Sequence, residues 1–332
     1  MPGVRGRGIP AVVHNMTELI GQTPILRLRR LYDDTLYDDT RGVVYAKLEN
    51  MNPTSSIKDR VVLNMVRRAM ADGRIGPTTE VVEASSGNTA IALAALGVTM
   101  GFRVKVFMSA HATIERQRSL AAFGAKIVLT PGVEHTRGAR ERAMAYCAAN
   151  PKTTLFLNQH GNPDNAHMHE TVTGPELWEQ LAGRIDAIVL ALGTAGTYAG
   201  IATYLKRMNP DIYVVGVEAA ASPVYSGGKQ GTHHILGMSP GLVTDNYKRC
   251  EIKPDEIMLC TDEAAYEWTR RIAYKEGILV GLTSGACAWA AGVLAGRPEL
   301  ETKAIVTFFF DTGERYLSVD DLYAKVEAEI MT

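Results

Sequence analysis

Lys58 stands in Asn52-Pro53-Thr54-Ser55-Ser56-Ile57-Lys58-Asp59-Arg60, after small hydroxyl residues and at the edge of a predicted helix. A lysine amine there can form a Schiff base with a carbonyl compound, provided its site lowers a free pKa of about 10.4 or holds the amine as the imine. Most lysines are solvated surface residues. Lys58 therefore gains chemical interest only from its company.

Three further segments supply it: Ser85-Ser86-Gly87-Asn88-Thr89, Gly193-Thr194-Ala195-Gly196-Thr197 and Gly281-Leu282-Thr283-Ser284-Gly285. Each lies between an apolar run and a helical pattern. Residues 186–192 read as a buried parallel strand, and the chain after Gly193 continues as a helix. Unpaired N–H groups at a helix N-terminus favour an anion, and a small Gly/Thr loop gives a phosphate close approach. One Gly-rich loop alone is equally well a tight strand-to-helix turn.

Together, these four segments resemble the cysteine synthase and cystathionine β-synthase family of pyridoxal-phosphate enzymes, the fold type II group. The resemblance begins at Ile20-Gly21-Gln22-Thr23-Pro24. It passes through Asn158-Gln159, His169 and Gly174-Pro175-Glu176, and ends at Gly313-Glu314-Arg315-Tyr316-Leu317-Ser318.

It implies two open twisted α/β domains with pyridoxal 5'-phosphate in the cleft between them. Lys58 would be the Schiff-base lysine and general base, Asn88 would bond the cofactor's phenolic oxygen, and Gly193, Thr194, Ala195, Gly196 and Thr197 would hold its phosphate. Ser85, Ser86, Gly87, Thr89 and Gln159 would grip the substrate α-carboxylate. Thr283 would face the pyridine nitrogen, where a neutral hydroxyl suits β-elimination from a serine ester to an aminoacrylate.

The chain also departs from the family pattern. Ala84 and Phe310 replace prolines, and Ala195 replaces a glycine, so Ala195 needs a negative φ or carries strain. Nearer the substrate, His160 replaces a phenylalanine and Gly237-Met238-Ser239-Pro240-Gly241 a smaller loop, which places His160 and Met238 in the nucleophile pocket. An imidazole near pKa 6.5 there could assist an amine or carboxylate-bearing nucleophile; the alternative is a histidine that only packs.

Composition fits such an enzyme. The 332 residues suggest two domains, and 35 Lys and Arg against 36 Asp and Glu leave net charge −1, which argues against a globally basic nucleic-acid binder. No apolar run approaches the roughly 18 residues needed to span a bilayer. The start lacks a signal-peptide pattern and reads as a frayed tail of a cytoplasmic protein. Cys147, Cys250, Cys260 and Cys287 have no metal-ligand spacing. His233-His234 and His167-x-His169, the latter opening a helix, make a poor metal site, since a site needs three or four convergent ligands.

Strand and helix must alternate to position these loops. Strands are expected over 80–83, 104–108, 125–129, 154–157, 186–192, 213–218 and 304–310. Helices are expected over 89–101, 112–123, 137–149, 174–181, 196–208, 263–276 and 284–295. The site should lie at strand C-terminal ends. Residues 1–21 would form the tail and entry segment, 52–160 a smaller mobile domain, and 161–332 the larger cofactor domain. The resemblance implies that 22–51 crosses over to that larger domain.

The leading function is β-replacement on O-acetyl- or O-phospho-L-serine with sulfide, in a homodimer. The same chemistry with an amine, giving a diaminopropionate-type product, is a close variant. Cystathionine β-synthase is less favoured because the chain ends at Thr332 with no room for a regulatory tandem. From other classes come a silent homologue binding a partner's C-terminal peptide, as cysteine synthases bind serine acetyltransferase, and a Rossmann oxidoreductase resting on Gly193, Gly196 and Gly200. The latter lacks G-x-G-x-x-G.

Overall fold

The computed structural model describes residues 12–32, 42–319 and 321–323. The expected N-terminal tail lies partly outside the described residues; from Asn15 onward the chain is capped, the Asn15 side chain accepting the Thr17 N–H at the start of a 3-10 turn, Met16–Leu19.

The described strands, numbered in chain order, are β1 (Ile25–Arg27), β2 (Val43–Leu48), β3 (Glu80–Ala84), β4 (Arg103–Ser109), β5 (Lys126–Thr130), β6 (Thr154–Phe156), β7 (Ala187–Ala191), β8 (Tyr213–Ala219), β9 (Glu256–Cys260) and β10 (Ala304–Phe309). They form a six-stranded sheet in the order β1-β2-β10-β7-β8-β9 and a four-stranded sheet in the order β5-β4-β3-β6. Every pairing is parallel except β1 with β2. Parallel strands with helices on both faces read as unbroken apolar runs, and all five residues of β7 are buried.

Helix α1 (Lys58–Ala71) buries Val61, Val62, Met65 and Val66 in the core of the smaller sheet, where α2 (Asn88–Met100) also packs. The larger core holds α7 (Gly196–Met208), α9 (Asp262–Glu276) and α10 (Leu282–Ala295). Helix α10 is almost entirely small and buried. It approaches α9 so closely that a Cβ on Gly285 would lie 2.1 Å from Thr269 Oγ1.

The helices and strands foreseen from periodicity are present, with every end within two residues of the expected one. The structure adds short elements to which the sequence assigned nothing: β1, β2, the edge strand β9, α5 (Pro163–Met168) and α8 (Asp245–Arg249). His169 does not open a helix. Helix α5 starts at a cap where Asn162 accepts the Asp164 N–H, and ends at Met168; a π turn, His169–Thr173, then leads into α6 (Gly174–Gln180). Among the described residues no group of three His, Cys, Asp or Glu is placed to hold a metal, and no helix is long and apolar enough to cross a membrane.

A fully buried charge cluster joins α1 to the larger sheet. Arg60 Nε and Nη2 donate to the two Glu49 oxygens at 2.7 and 2.9 Å, and its Nη1 and Nη2 each donate to Glu176 at 2.8 Å. Lys47 of β2 adds a 2.6 Å bond to Glu176 and donates to Thr23 O and Gln180 Oε1. Burial pushes the Glu49 carboxyl up, but Arg60 and Lys47 outweigh it and hold it below its ordinary value.

Removing one member of such a cluster strands the others without water. We expect Arg60→Met to lower the unfolding free energy by roughly 3–5 kcal/mol in denaturant titration; a loss under about 1 kcal/mol would mean that the cluster is loosely solvated.

Candidate functional site

Lys58 is the first residue of α1, and the turn before it is bolted to the end of β10. Ser56 bridges Asp311, the Ile57 N–H donates to Phe310 O at 2.9 Å, and the Thr312 N–H donates to Ser55 O at 3.2 Å. Ser55 takes φ +58° to make this turn. Burial pushes the Lys58 amine down to about 8, against the raising effect of Asp311.

The loop after β3 carries Ser85 to Thr89, with Asn88 and Thr89 already in the first turn of α2. The Thr89 hydroxyl donates to Gln159 Oε1 at 2.6 Å, and both residues line the cleft. The Gln159 backbone is held from three directions. Its N–H donates to buried Glu83 at 3.1 Å, and its carbonyl accepts from Asn165 and Asn246 at 2.8 and 3.0 Å. Asn88 Nδ2 donates to Asp311 at 2.7 Å and its Oδ1 accepts from Arg315, so one N–H remains for a ligand. The Tyr316 hydroxyl donates to the same Asp311 oxygen at 2.6 Å.

The loop after β7 runs into α7. Among the described residues, the N–H groups of Thr194, Ala195, Gly196 and Thr197 have no acceptor, so the loop is a donor cradle of the kind that fits a phosphate. Gly193 and Gly196 are also required by packing, since a Cβ would lie 2.3 Å from Gly237 O and 2.0 Å from Asn165 Oδ1 respectively. Ala195 does not take the negative φ. It is left-handed at φ +59° and buried, so the strained alternative holds. Behind the loop, His169 joins Thr197 Oγ1 at 3.1 Å and Thr173 Oγ1 at 3.0 Å.

One cleft of about 820 Å³ brings together Lys58, Ser85, Ser86, Gly87, Asn88, Thr89, Gln159, His160, Gly193, Thr194 and Met238. Ala195, Gly196, Thr197 and Thr283 do not line it. The Thr283 hydroxyl donates to Leu236 O at 2.8 Å. His160 departs from the expected titration near neutrality: burial, with the charges of Lys58 and Arg140, pushes it down to about 4, so it is a neutral imidazole at pH 7. Sequence reasoning assigned no role to Glu83, Asp311, Arg315 and Tyr316, nor to Asn165 and Asn246. The run over residues 313–318, which contains Arg315 and Tyr316, was visible as a motif, whereas nothing in the sequence marks Asn246.

The match to the "Pyridoxal-phosphate dependent enzyme" family extends over residues 16–311. A cysteine synthase of Staphylococcus aureus is 39% identical over 307 residues, spanning 92% of this chain and 96% of that protein. O-acetyl serine sulfhydrylase isoform 3 of Entamoeba histolytica superposes with a TM-score of 0.89 at 39% identity, covering 97% of this chain and 94% of the other. An O-acetylserine dependent cystathionine β-synthase of Helicobacter pylori gives 0.86 at 30% identity, covering 94% and 99%. The chain belongs to the pyridoxal-phosphate dependent enzyme family, and is an enzyme that uses pyridoxal phosphate.

Two outcomes test this geometry. Covalent capture of added pyridoxal phosphate by Lys58, trapped with borohydride in protein freed of cofactor, should rise as the amine deprotonates through about pH 8; a rate still climbing unchanged toward pH 10 would place the amine in open solvent. At position 195, the roughly 1–2 kcal/mol of left-handed strain is offset in Ala195→Gly by lost methyl burial and added unfolded-state entropy. That variant should therefore stay within about 1 kcal/mol of the parent, while Ala195→Val, β-branched at positive φ, should lose more than about 2 kcal/mol in denaturant titration. Equal stabilities would remove the strain.

Proposed function

We propose that this enzyme carries out β-replacement on an O-activated L-serine, O-acetyl-L-serine foremost, with sulfide as acceptor and L-cysteine as product. The observation that carries the reading is the convergence on one cleft of a lysine amine lowered to about 8 with two different anion sites: hydroxyl and amide donors around Ser85 to Gln159, and the backbone donors of the 193–197 loop, which meets the cleft at Gly193 and Thr194. The cysteine synthase and O-acetyl serine sulfhydrylase relatives support it.

Pyridoxal phosphate, when bound, supplies the electron sink that makes the α-proton acidic and the β-substituent labile. Lys58 anchors it, and the Lys58 amine takes the substrate α-proton. Thr194 to Thr197 hold the phosphate, and Asn88, its amide fixed by Asp311 and Arg315, offers its remaining N–H to the ring oxygen. Thr283 is the neutral hydroxyl assigned to the ring nitrogen. Ser85, Ser86, Gly87, Thr89 and Gln159 orient the α-carboxylate, while His160 and Met238 shape the nucleophile's approach. Residues 52–160 are assigned to a smaller domain closing over a larger one built from 22–51 and 161–332, in a cytoplasmic homodimer.

The test is an absorbance scan of the purified protein, then of the Lys58→Ala variant, with O-acetyl-L-serine followed by sulfide. The parent should show a cofactor band that O-acetyl-L-serine shifts and sulfide restores, with cysteine released; the variant should lose turnover by at least about 10³-fold. Turnover in Lys58→Ala near that of the parent would refute the assignment of the base.

A further inference from the structure

Arg116 lies in the first turn of α3 (Ile114–Ala122) and forms part of the cleft wall beside Tyr316. It is only 8% exposed, and its guanidinium carbon is 5.5 Å from the centroid of the Tyr316 ring. Its Nε is shut off from solvent and has no acceptor. Among the described residues, no carboxylate pairs with Arg116 and no oxygen accepts a hydrogen bond from it.

A guanidinium carries five N–H donors, so a buried one without acceptors is costly. The contrast with Arg60, fully buried and doubly satisfied by two carboxylates, shows what this chain does where an arginine serves packing alone. The neighbouring carboxylates do not pair with it: Glu134 is paired with Arg142, and Asp311, whose charge interacts with Arg116, uses one oxygen to accept from Asn88 and Tyr316 while its other oxygen is buried without a hydrogen-bond partner. Arg137, at the start of α4 (His135–Ala149), lines the same cleft as a second, mostly exposed positive charge, loosely paired with the exposed Glu141 at 3.9 Å.

Arg116 belongs neither to the hydroxyl and amide donors of 85–89 and Gln159 nor to the backbone cradle at 193–197. We propose that Arg116 anchors a third anion subsite, one that takes a carboxylate or phosphate borne by a reactant beyond the substrate α-carboxylate. The inference rests on the β-replacement reading. In that exchange the Cβ–O bond breaks with its electron pair leaving on the departing oxygen, and a thiolate forms the new Cβ–S bond. Arg116 transfers no proton. It holds charge, in the two-pronged geometry that arginine offers to carboxylate and phosphate.

Two sources fit: the phosphate of an O-phospho leaving group, or a carboxylate on the incoming thiol. Steady-state kinetics on the cofactor-loaded parent, Arg116→Met and Arg116→Lys separate them, using O-acetyl-L-serine with sulfide as reference. The anion-bearing pairs are O-phospho-L-serine with sulfide, and O-acetyl-L-serine with mercaptoacetate. In Arg116→Met, kcat/KM for one anion-bearing pair, divided by that for the reference pair, should fall roughly 10- to 100-fold. A fall with phosphoserine assigns the leaving group, and a fall with mercaptoacetate assigns the nucleophile. Lysine should restore only part of the ratio. Both ratios unchanged would overturn the subsite.

Thermal unfolding supplies the control for a merely structural role: Arg116→Met should melt at or above the parent temperature, because it removes a buried guanidinium that has no hydrogen-bond acceptor. A lower melting temperature with unaltered ratios makes Arg116 a packing residue. If the parent turns over none of the pairs, the β-replacement reading fails separately. Calorimetric titration of inorganic phosphate then decides the subsite, binding to the parent but not to Arg116→Met supporting it and equal or absent binding overturning it.

Discussion

The guanidinium of Arg60, clamped between Glu49 and Glu176, is the constraint on which the site depends. It lies two residues beyond Lys58 on the same helix, and that helix buries its apolar face in the core of the smaller sheet. Glu49 follows β2 of the larger sheet, and Glu176 belongs to α6. The clamp therefore fixes where α1 begins relative to the larger sheet, and with it where the Lys58 amine meets the cleft. Apolar packing alone tolerates small rotations of a helix; a two-sided, hydrogen-bonded ion cluster without water does not, because any slip leaves a buried charge unpaired.

Around that fixed start, the cleft is lined with donors. It opens where β3, β6, β7 and β10 end, and parallel strands present their loops and helix N-termini at that edge. Glu134 on the wall is paired with Arg142, and two further carboxylates, Asp311 and Glu83, are held beneath the surface as acceptors. Asp311 takes Asn88 and Tyr316; Glu83, pushed up to about 7 by burial, takes the Ala84 and Gln159 N–H groups. Acceptors behind and donors in front is the arrangement that a doubly anionic ligand requires.

The chain's departures from its family acquire physical meaning here. With Ala84 and Phe310 in place of prolines, two N–H groups exist that proline lacks, and both are used: Ala84 donates to Glu83 at 2.8 Å and Phe310 to Ser284 Oγ at 2.9 Å. Ala195 keeps the left-handed turn that a glycine would make freely, at a cost in strain. His160 brings a neutral ring where a titrating one was expected, because the positive charges of Lys58 and Arg140 and the loss of water act together against its protonation.

By itself the sequence determined the alternation of strands and helices, the loops that carry the chemistry and the lysine among them. Apolar periodicity and Gly/Ser/Thr punctuation are local signals, and residues 85–89, 193–197 and Lys58 sit where such signals are strong. It missed β9, whose residues 256–260 form an exposed edge with mixed burial, and the short α5 and α8, which rest on caps more than on periodicity. Only the tertiary structure decided that Asn88 is oriented by Asp311 and Arg315, more than 220 residues away, that Asn165 and Asn246 share the Gln159 carbonyl, and that Arg116 faces the cleft without an acceptor. Hydrogen bonding, burial and the pKa of a side chain depend on what the fold brings alongside it, and chain spacing does not encode that.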